Sequence, residues 1–189
     1  MEQPKRKRIR LKEWDYSQNG CYFITFCTKD RVCLFWDTCR GAPCAPAGEA
    51  ACAPTAPFPL TAAGEAVKTA VERIPVRYPS TVLERYVIMP NHVHMLITLQ
   101  AHGRRTRCAP TVSRIVKQTK GAVTKHIGYP VWQKSYYDHI VRDESDFQRI
   151  WRYIDTNPLR WKEDRYYPAD SAAAAPQMPG PTFAKGKHL

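Results

Sequence analysis

His92 and His94 stand one residue apart in the run NHVHMLITL (91–99). Read as a strand, this run turns Val93, Met95, Ile97 and Leu99 to one face and both histidines to the other, because successive side chains alternate. Alternate residues lie about 6.6 Å apart at a rise of about 3.3 Å each, so two imidazoles can lean onto one ion at bond lengths of about 2.1 Å. Further along, Tyr153 and Asn157 are four apart on a predicted helix and share a face. A phenol is a nucleophile once its proton is taken, and an amide oxygen is a hard ligand. Two nitrogens and one oxygen with open positions suit Mg²⁺ or Mn²⁺ when phosphate oxygens complete the shell, and they do not exclude Zn²⁺. The same residues also fit a structural reading. An HxH pair on a strand is a weak signal alone, Tyr153 is one of ten tyrosines, and Asn157 can serve as a helix cap ahead of Pro158.

The elements that must position these groups follow from periodicity. Residues 20–28 (GCYFITFCT) alternate large and small side chains and predict a strand. Residues 61–77 start with a Thr cap and Glu65, then place Val67, Ala70, Val71 and Ile74 at helical spacing. Strands are predicted over 83–89 and 91–99, joined at Pro90-Asn91. A helix over 111–127 gathers Val112, Ile115, Val116, Val123 and Ile127 on one face. Residues 136–141 read as a short strand. A last helix over 143–157 opens with acids, which favour a helix N-terminus, and turns Phe147, Ile150, Trp151 and Ile154 inward. The order βαββαβ plus one helix predicts an α+β fold, ferredoxin-like or RRM-like. It has an antiparallel sheet, helices on one face, and the other face free for a ligand.

Composition narrows the partner. The 189-residue chain carries a formal charge of +12 and a sequence pI near 9.5, which suits a polyanion whose counterions are released on binding. The start, MEQPKRKRIRLK, is basic without an apolar stretch behind it, so neither a signal peptide nor a membrane anchor is expected. The expected address is cytoplasmic and nucleoid-associated. Seven cysteines form no CxxC pair, which argues for reduced thiols rather than a zinc site. Of the other histidines, His139 reads as a structural hydrogen-bonding residue and His126 as a helix-end charge; His102 and His188 fall in a loop and a tail.

Three divisions are expected: a basic N-terminal arm (1–19), a core domain (20–168), and a tail (169–189). Within the core, residues 40–59 form an Ala/Pro-rich insert; this insert and the tail cannot bury enough apolar surface to offset ordering.

RYVIMPNHVHMLI (85–97), WRYIDTNPLRW (151–161) and the opening IRLKEWDYSQNGCYFITFCTKDR (9–31) together resemble the HUH single-tyrosine transposases, and among them the REP-associated tyrosine transposases. The likeness covers most of residues 5–168, leaving the Ala/Pro insert and the tail unmatched. It implies that His92 and His94 bind a divalent metal, Mg²⁺ or Mn²⁺. It further implies that Tyr153, opening YIxxNP, is the nucleophile and that Asn157 completes the metal site. The implied substrate is single-stranded or hairpin DNA at palindromic repeats, cut through a 5′-phosphotyrosine intermediate by a monomer or homodimer. A phenol of ordinary pKa near 10 needs help to ionise at neutral pH, and Arg149, Arg152 or the ion are candidates for that help.

DNA grip is expected from Lys5, Arg6, Lys7, Arg8 and Arg10 in the arm, from Lys117, Lys120 and Lys125 on the second helix, and from Arg104, Arg105 and Arg107 in a loop. Two other functions fit less of the chain. One is a catalytically silent, domesticated hairpin-binding protein. The other is an RNA-binding RRM-like module that stacks bases on Tyr22, Phe23 and Phe26 of an open sheet.

Overall fold

The computed structural model describes residues 19–37, 59–100 and 111–167. The arm cations Lys5, Arg6, Lys7, Arg8 and Arg10, the insert up to residue 58, the loop arginines 104, 105 and 107, and the tail lie outside the described residues.

Strand β1 (Gly20–Cys27) is followed by helix α1 (Ala62–Glu72), a single turn α2 (Ile74–Arg77), and strands β2 (Thr81–Met89) and β3 (His92–Leu99). Helix α3 (Val112–Ile127), strand β4 (Tyr137–Val141) and helix α4 (Glu144–Thr156) complete the order, and a 3₁₀ segment, Asn157–Glu163, follows directly. The strands form one antiparallel sheet in the order β2-β3-β1-β4. β1 and β2 flank β3, so α1 crosses over an intervening strand, the split βαβ arrangement of ferredoxin-like folds. The α+β order read from the sequence is the order observed.

Strand pairing sorts the side chains. Ile24 lies opposite Met95 and Phe26 opposite Val93, while Thr25 lies opposite His94 and Cys27 opposite His92. The first set meets α1 and α3: Tyr86 donates its hydroxyl to Glu72 of α1 at 2.7 Å, and the Lys120 ammonium of α3 lies 5.7 Å from the Phe26 ring centroid. Val67, Val71, Val112, Ile115 and Val123 are buried against that face.

The second face is not open. α4 lies across β2 and β3, with Ile150 and Ile154 buried beneath it. Arg85 of β2 donates to Asp155 at 2.6 Å and its guanidinium lies 5.1 Å from the Trp151 ring centroid, so one residue anchors α4 by charge and by cation–π attraction. Arg85 can reach α4 because the pairing slips between Leu83 and Arg85. That slip is a bulge, letting Leu83 join the core on one face while Arg85 points to the other. With Tyr22 and Phe26 fully buried and Phe23 nearly so, these three rings offer no platform for stacking bases, which corrects the expectation of an open sheet face carrying them while the fold itself stands.

Two local differences have simple causes. The helix expected over 61–77 breaks at Arg73 because Pro75 has no N–H to return to the preceding turn. Gly64, in the first turn of α1, packs so tightly that a β-carbon would sit 2.4 Å from the Phe35 carbonyl oxygen. Thr61 caps α1 there, its hydroxyl oxygen accepting from the Gly64 N–H while its own N–H donates to Phe35 at 2.9 Å. Among the described residues no helix is long and apolar enough to cross a membrane.

Candidate active site

β3 presents both histidines to the α4 face, where each ring is almost wholly buried: His92 is 0 % exposed and His94 is 1 % exposed. Their shielding comes from aromatic neighbours. The His92 ring lies 4.6 Å from Tyr166 and 6.0 Å from Trp161, and the His94 ring 5.2 Å from Phe23 and 5.2 Å from Tyr153, by centroids.

Hydrogen bonds set which nitrogen of each ring carries a proton. Asn91 spends its amide hydrogens on the carbonyls of Arg31 at 3.0 Å and Tyr166 at 2.9 Å. Its Oδ1, 2.8 Å from His92 Nδ1, must therefore accept, so His92 is protonated on Nδ1 and offers a lone pair at Nε2. His94 Nδ1 sits 2.7 Å from the Thr25 hydroxyl, which can donate or accept. The two Nε2 atoms are 3.0 Å apart. In one His94 tautomer Nε2–H donates to His92. In the other, Thr25 accepts from Nδ1–H and two lone pairs converge on a point that a cation would stabilise.

Burial pushes both rings well down from the ordinary histidine range, His94 to about 3, with the Arg165 charge adding to the effect on each. Both are neutral at pH 7, the form that can ligate. Asp164 supplies a carboxylate: one oxygen from it and one nitrogen from each histidine all lie within 4.8 Å of one another. The donor set, two imidazoles and a carboxylate, fits a divalent cation.

α4 delivers the phenol. Its N-terminus is capped by Asp143, whose side chain accepts from the Asp146 N–H at 2.8 Å, and Ile150 and Ile154 fix its rotation. Tyr153, one residue before Ile154, then stands at the packing edge, 40 % exposed. Its hydroxyl is 3.2 Å from His94 Nε2 and donates to Asp164 Oδ2 at 3.3 Å. Burial and the Asp164 charge push this phenol up to about 12, against the pull of Asn157 and Arg165. The guanidinium acting on the phenol is thus Arg165, not Arg149 or Arg152; Arg149 is paired with Asp146.

Asn157 caps the end of α4, is 3 % exposed, and keeps its Nδ2 without a hydrogen-bond partner. That amide adjoins the Tyr153 phenol, on which it acts, and a buried Nδ2 without a partner leaves a polar group for a ligand to satisfy.

Of the lysines on α3, Lys117 and Lys125 are exposed, whereas Lys120 donates to the carbonyls of Gln133 at 2.8 Å and Ser135 at 2.7 Å. Burial lowers Lys120 to about 8. It tethers the approach to β4. His139 Nε2 donates to the Asp146 carboxylate at 2.7 Å, the structural role its sequence context suggests. Cys27 is buried and Cys21 half-buried, and among the described residues the cysteines are free thiols.

Asp164, Asn91, Arg165 and Arg31 were not singled out by sequence reasoning. EDRYY (163–167) has neither helical nor strand periodicity, and nothing local reveals that it folds back beneath β3. The direct signal lies in Asn91, a polar residue between Pro90 and a strand that the structure finds fully buried.

Residues 60–157, about half of the chain, match the model of a family described as Transposase IS200 like. An uncharacterized protein of Haemophilus influenzae is 32% identical over 182 residues, covering 86% of this chain and 93% of that protein. A solved structure described as a REP-associated tyrosine transposase bound to a REP hairpin superposes with a TM-score of 0.54 at 19% identity. It covers 80% of this chain and 74% of that one, a likeness of fold. With the family match extending from the start of α1 to Asn157 and so including both histidines and Tyr153, the chain belongs to the IS200-like transposase family.

Proposed function

We propose that this protein is a metal-dependent DNA strand-transferase that cuts and rejoins single-stranded or hairpin DNA, with Tyr153 as nucleophile. The observation that carries the reading is the Tyr153 hydroxyl standing 3.2 Å from His94, beside a buried, neutral His92–His94 pair. Binding alone requires no such juxtaposition of phenol, imidazoles and carboxylate. The hairpin in the structure with the shared fold supports a hairpin substrate, and the family supports DNA as the polymer.

In this reading His92, His94 and Asn157 hold Mg²⁺ or Mn²⁺, and Asp164 adds its negative charge. When bound, the ion polarises a non-bridging phosphate oxygen and stabilises charge on the transition state. The chain's own groups do the rest. Tyr153 Oη forms the bond to phosphorus as the bond to the 3′ oxygen breaks, giving a 5′-phosphotyrosine and a free 3′-hydroxyl. A phenol held near 12 needs a proton acceptor, and Asp164 Oδ2 already receives its hydrogen bond. Burial by Tyr166, Trp161 and Phe23 keeps the imidazoles neutral and fixes their orientation.

Incubation with hairpin oligonucleotides and Mn²⁺ is expected to give a covalent protein–DNA adduct resistant to denaturing electrophoresis. Tyr153→Phe is expected to form none while binding the same DNA. Adduct formation by Tyr153→Phe at the parent rate removes Tyr153 as nucleophile; gel shifts without any adduct across metals and hairpins point to a silent hairpin-binding protein. Asp164→Asn keeps the side chain's shape but not its basicity. It is expected to slow adduct formation by about 10²–10⁴-fold at saturating Mn²⁺, the usual worth of a positioned acid or base.

A further inference from the structure

Two arginines outside the metal and nucleophile groups converge on the rim of the same site. Arg31 ends the turn after β1 and Arg165 follows the 3₁₀ segment, yet both guanidinium groups lie over the single ring of Tyr166, at 5.3 Å and 4.6 Å from its centroid. Arg31 Nη1 donates to the Arg165 carbonyl at 3.4 Å, Arg165 donates to the Tyr166 hydroxyl, and the Arg165 guanidinium also lies 5.4 Å from the exposed Tyr137 ring. Both side chains reach solvent. Among the described residues neither guanidinium pairs with a carboxylate, unlike Arg85, Arg149 and Arg160.

The backbone is shaped to hold them there. Asp30 and Arg31 adopt φ of 54° and 56°, left-handed values that side chains other than glycine's rarely take. The Arg31 carbonyl is fixed by Asn91, the residue that also sets the His92 tautomer. Two guanidinium groups brought to one ring, with no carboxylate paired to either, leave their remaining N–H donors to water and so to an incoming anion. Planar guanidinium forks match phosphate oxygens in pairs. The Tyr166 ring over which both guanidinium groups lie is itself 4.6 Å from the His92 ring, which puts the pair beside the histidines.

We propose that Arg31 and Arg165 form a clamp for a backbone phosphodiester of the DNA strand, adjacent to the phosphate attacked by Tyr153. This rests on the strand-transferase reading for the identity of the polymer.

The test is binding of a fluorescent single-stranded hairpin DNA by anisotropy in EDTA, over a range of salt, so that neither metal nor chemistry contributes. Arg31→Gln/Arg165→Gln is expected to bind at least five-fold more weakly at low salt. The slope of log affinity against log salt should become shallower by about 0.7 for each phosphate that the protein no longer neutralises. Arg165→Lys, which keeps the charge and lacks the fork, is expected to keep the parent slope with reduced affinity. Mn²⁺ affinity by calorimetry should not fall in any of these variants, which separates a role in holding DNA from collapse of the site. Parent affinity and slope in the double variant overturn the clamp. If that variant does not fold, parent affinity in Arg165→Lys overturns it. Tighter binding of an RNA hairpin of the same sequence overturns the assignment to DNA. Weakened binding by the arginine variants with no adduct from the parent leaves the clamp standing and removes the nuclease. An adduct from the parent with unaltered binding by the variants does the reverse.

Discussion

Asn91 commits both amide hydrogens to backbone carbonyls and its oxygen to His92, so its removal is expected to act on the proposed metal site at one remove. With Asn91→Leu, nothing holds the His92 proton on Nδ1, and Nε2 is free to be protonated and lost as a ligand. Mn²⁺ affinity measured by calorimetry is expected to fall by about 10–100-fold, the usual worth of an outer partner to a ligating histidine. Asn91→Asp, which keeps the acceptor, is expected to retain more of it. At this scale the sequence was partly legible. Strand alternation is enough to pair His92 with His94, and helical spacing is enough to pair Tyr153 with Asn157. Neither rule reaches Asp164, whose side chain meets the histidines only through a fold-back after the 3₁₀ segment, nor Arg31, whose place depends on a left-handed turn.

Elements were legible where periodicity was strong. β1 and β3 are read as strands from the large apolar residues at every second position, and α4 carries its cap and apolar stripe within one turn of where they were expected. What periodicity could not show is what covers the second face of the sheet, because β3 buries nearly every residue on both sides and its histidines interrupt no pattern. The bulge before Arg85 is equally silent in sequence, although it sends that arginine to α4. The junction of α1 with the segment before it is governed by Gly64. Gly64→Ala forces a β-carbon against the Phe35 carbonyl, backbone that cannot step aside cheaply. Urea unfolding is expected to show a loss of about 1–3 kcal/mol, the range for overpacking a tight junction. The site itself lies on the opposite sheet face, so residual folded protein should retain its Mn²⁺ affinity.

For the whole molecule, the notable relation is that the phenol and the histidine pair of one chain already meet. The nucleophile is then expected to serve the metal of its own chain. Mixing Tyr153→Phe with His92→Ala should restore no adduct formation, whether or not the chains associate, because neither chain then contains a complete site. Recovery of activity on mixing would mean that subunits exchange α4. Lys117 and Lys125 are exposed on α3, and a DNA path reaching them is expected to show itself as a change in salt slope on their substitution, as with the arginines.

Asn91 fastens β3 to the carbonyl of Tyr166, and Asp164 closes the histidine cluster, yet both partners follow β4 and α4, the last strand and α-helix among the described residues. A polypeptide emerging from the ribosome can assemble its sheet and bury most of its core before either of them has been made. Until they arrive it has a phenol and two imidazoles but no carboxylate beside them and no lock on the first ring. If the chain is the proposed strand-transferase, its site is then completed only after the sheet and α4 have been made, and a chain arrested a few residues short of Asp164 is expected to form no DNA adduct.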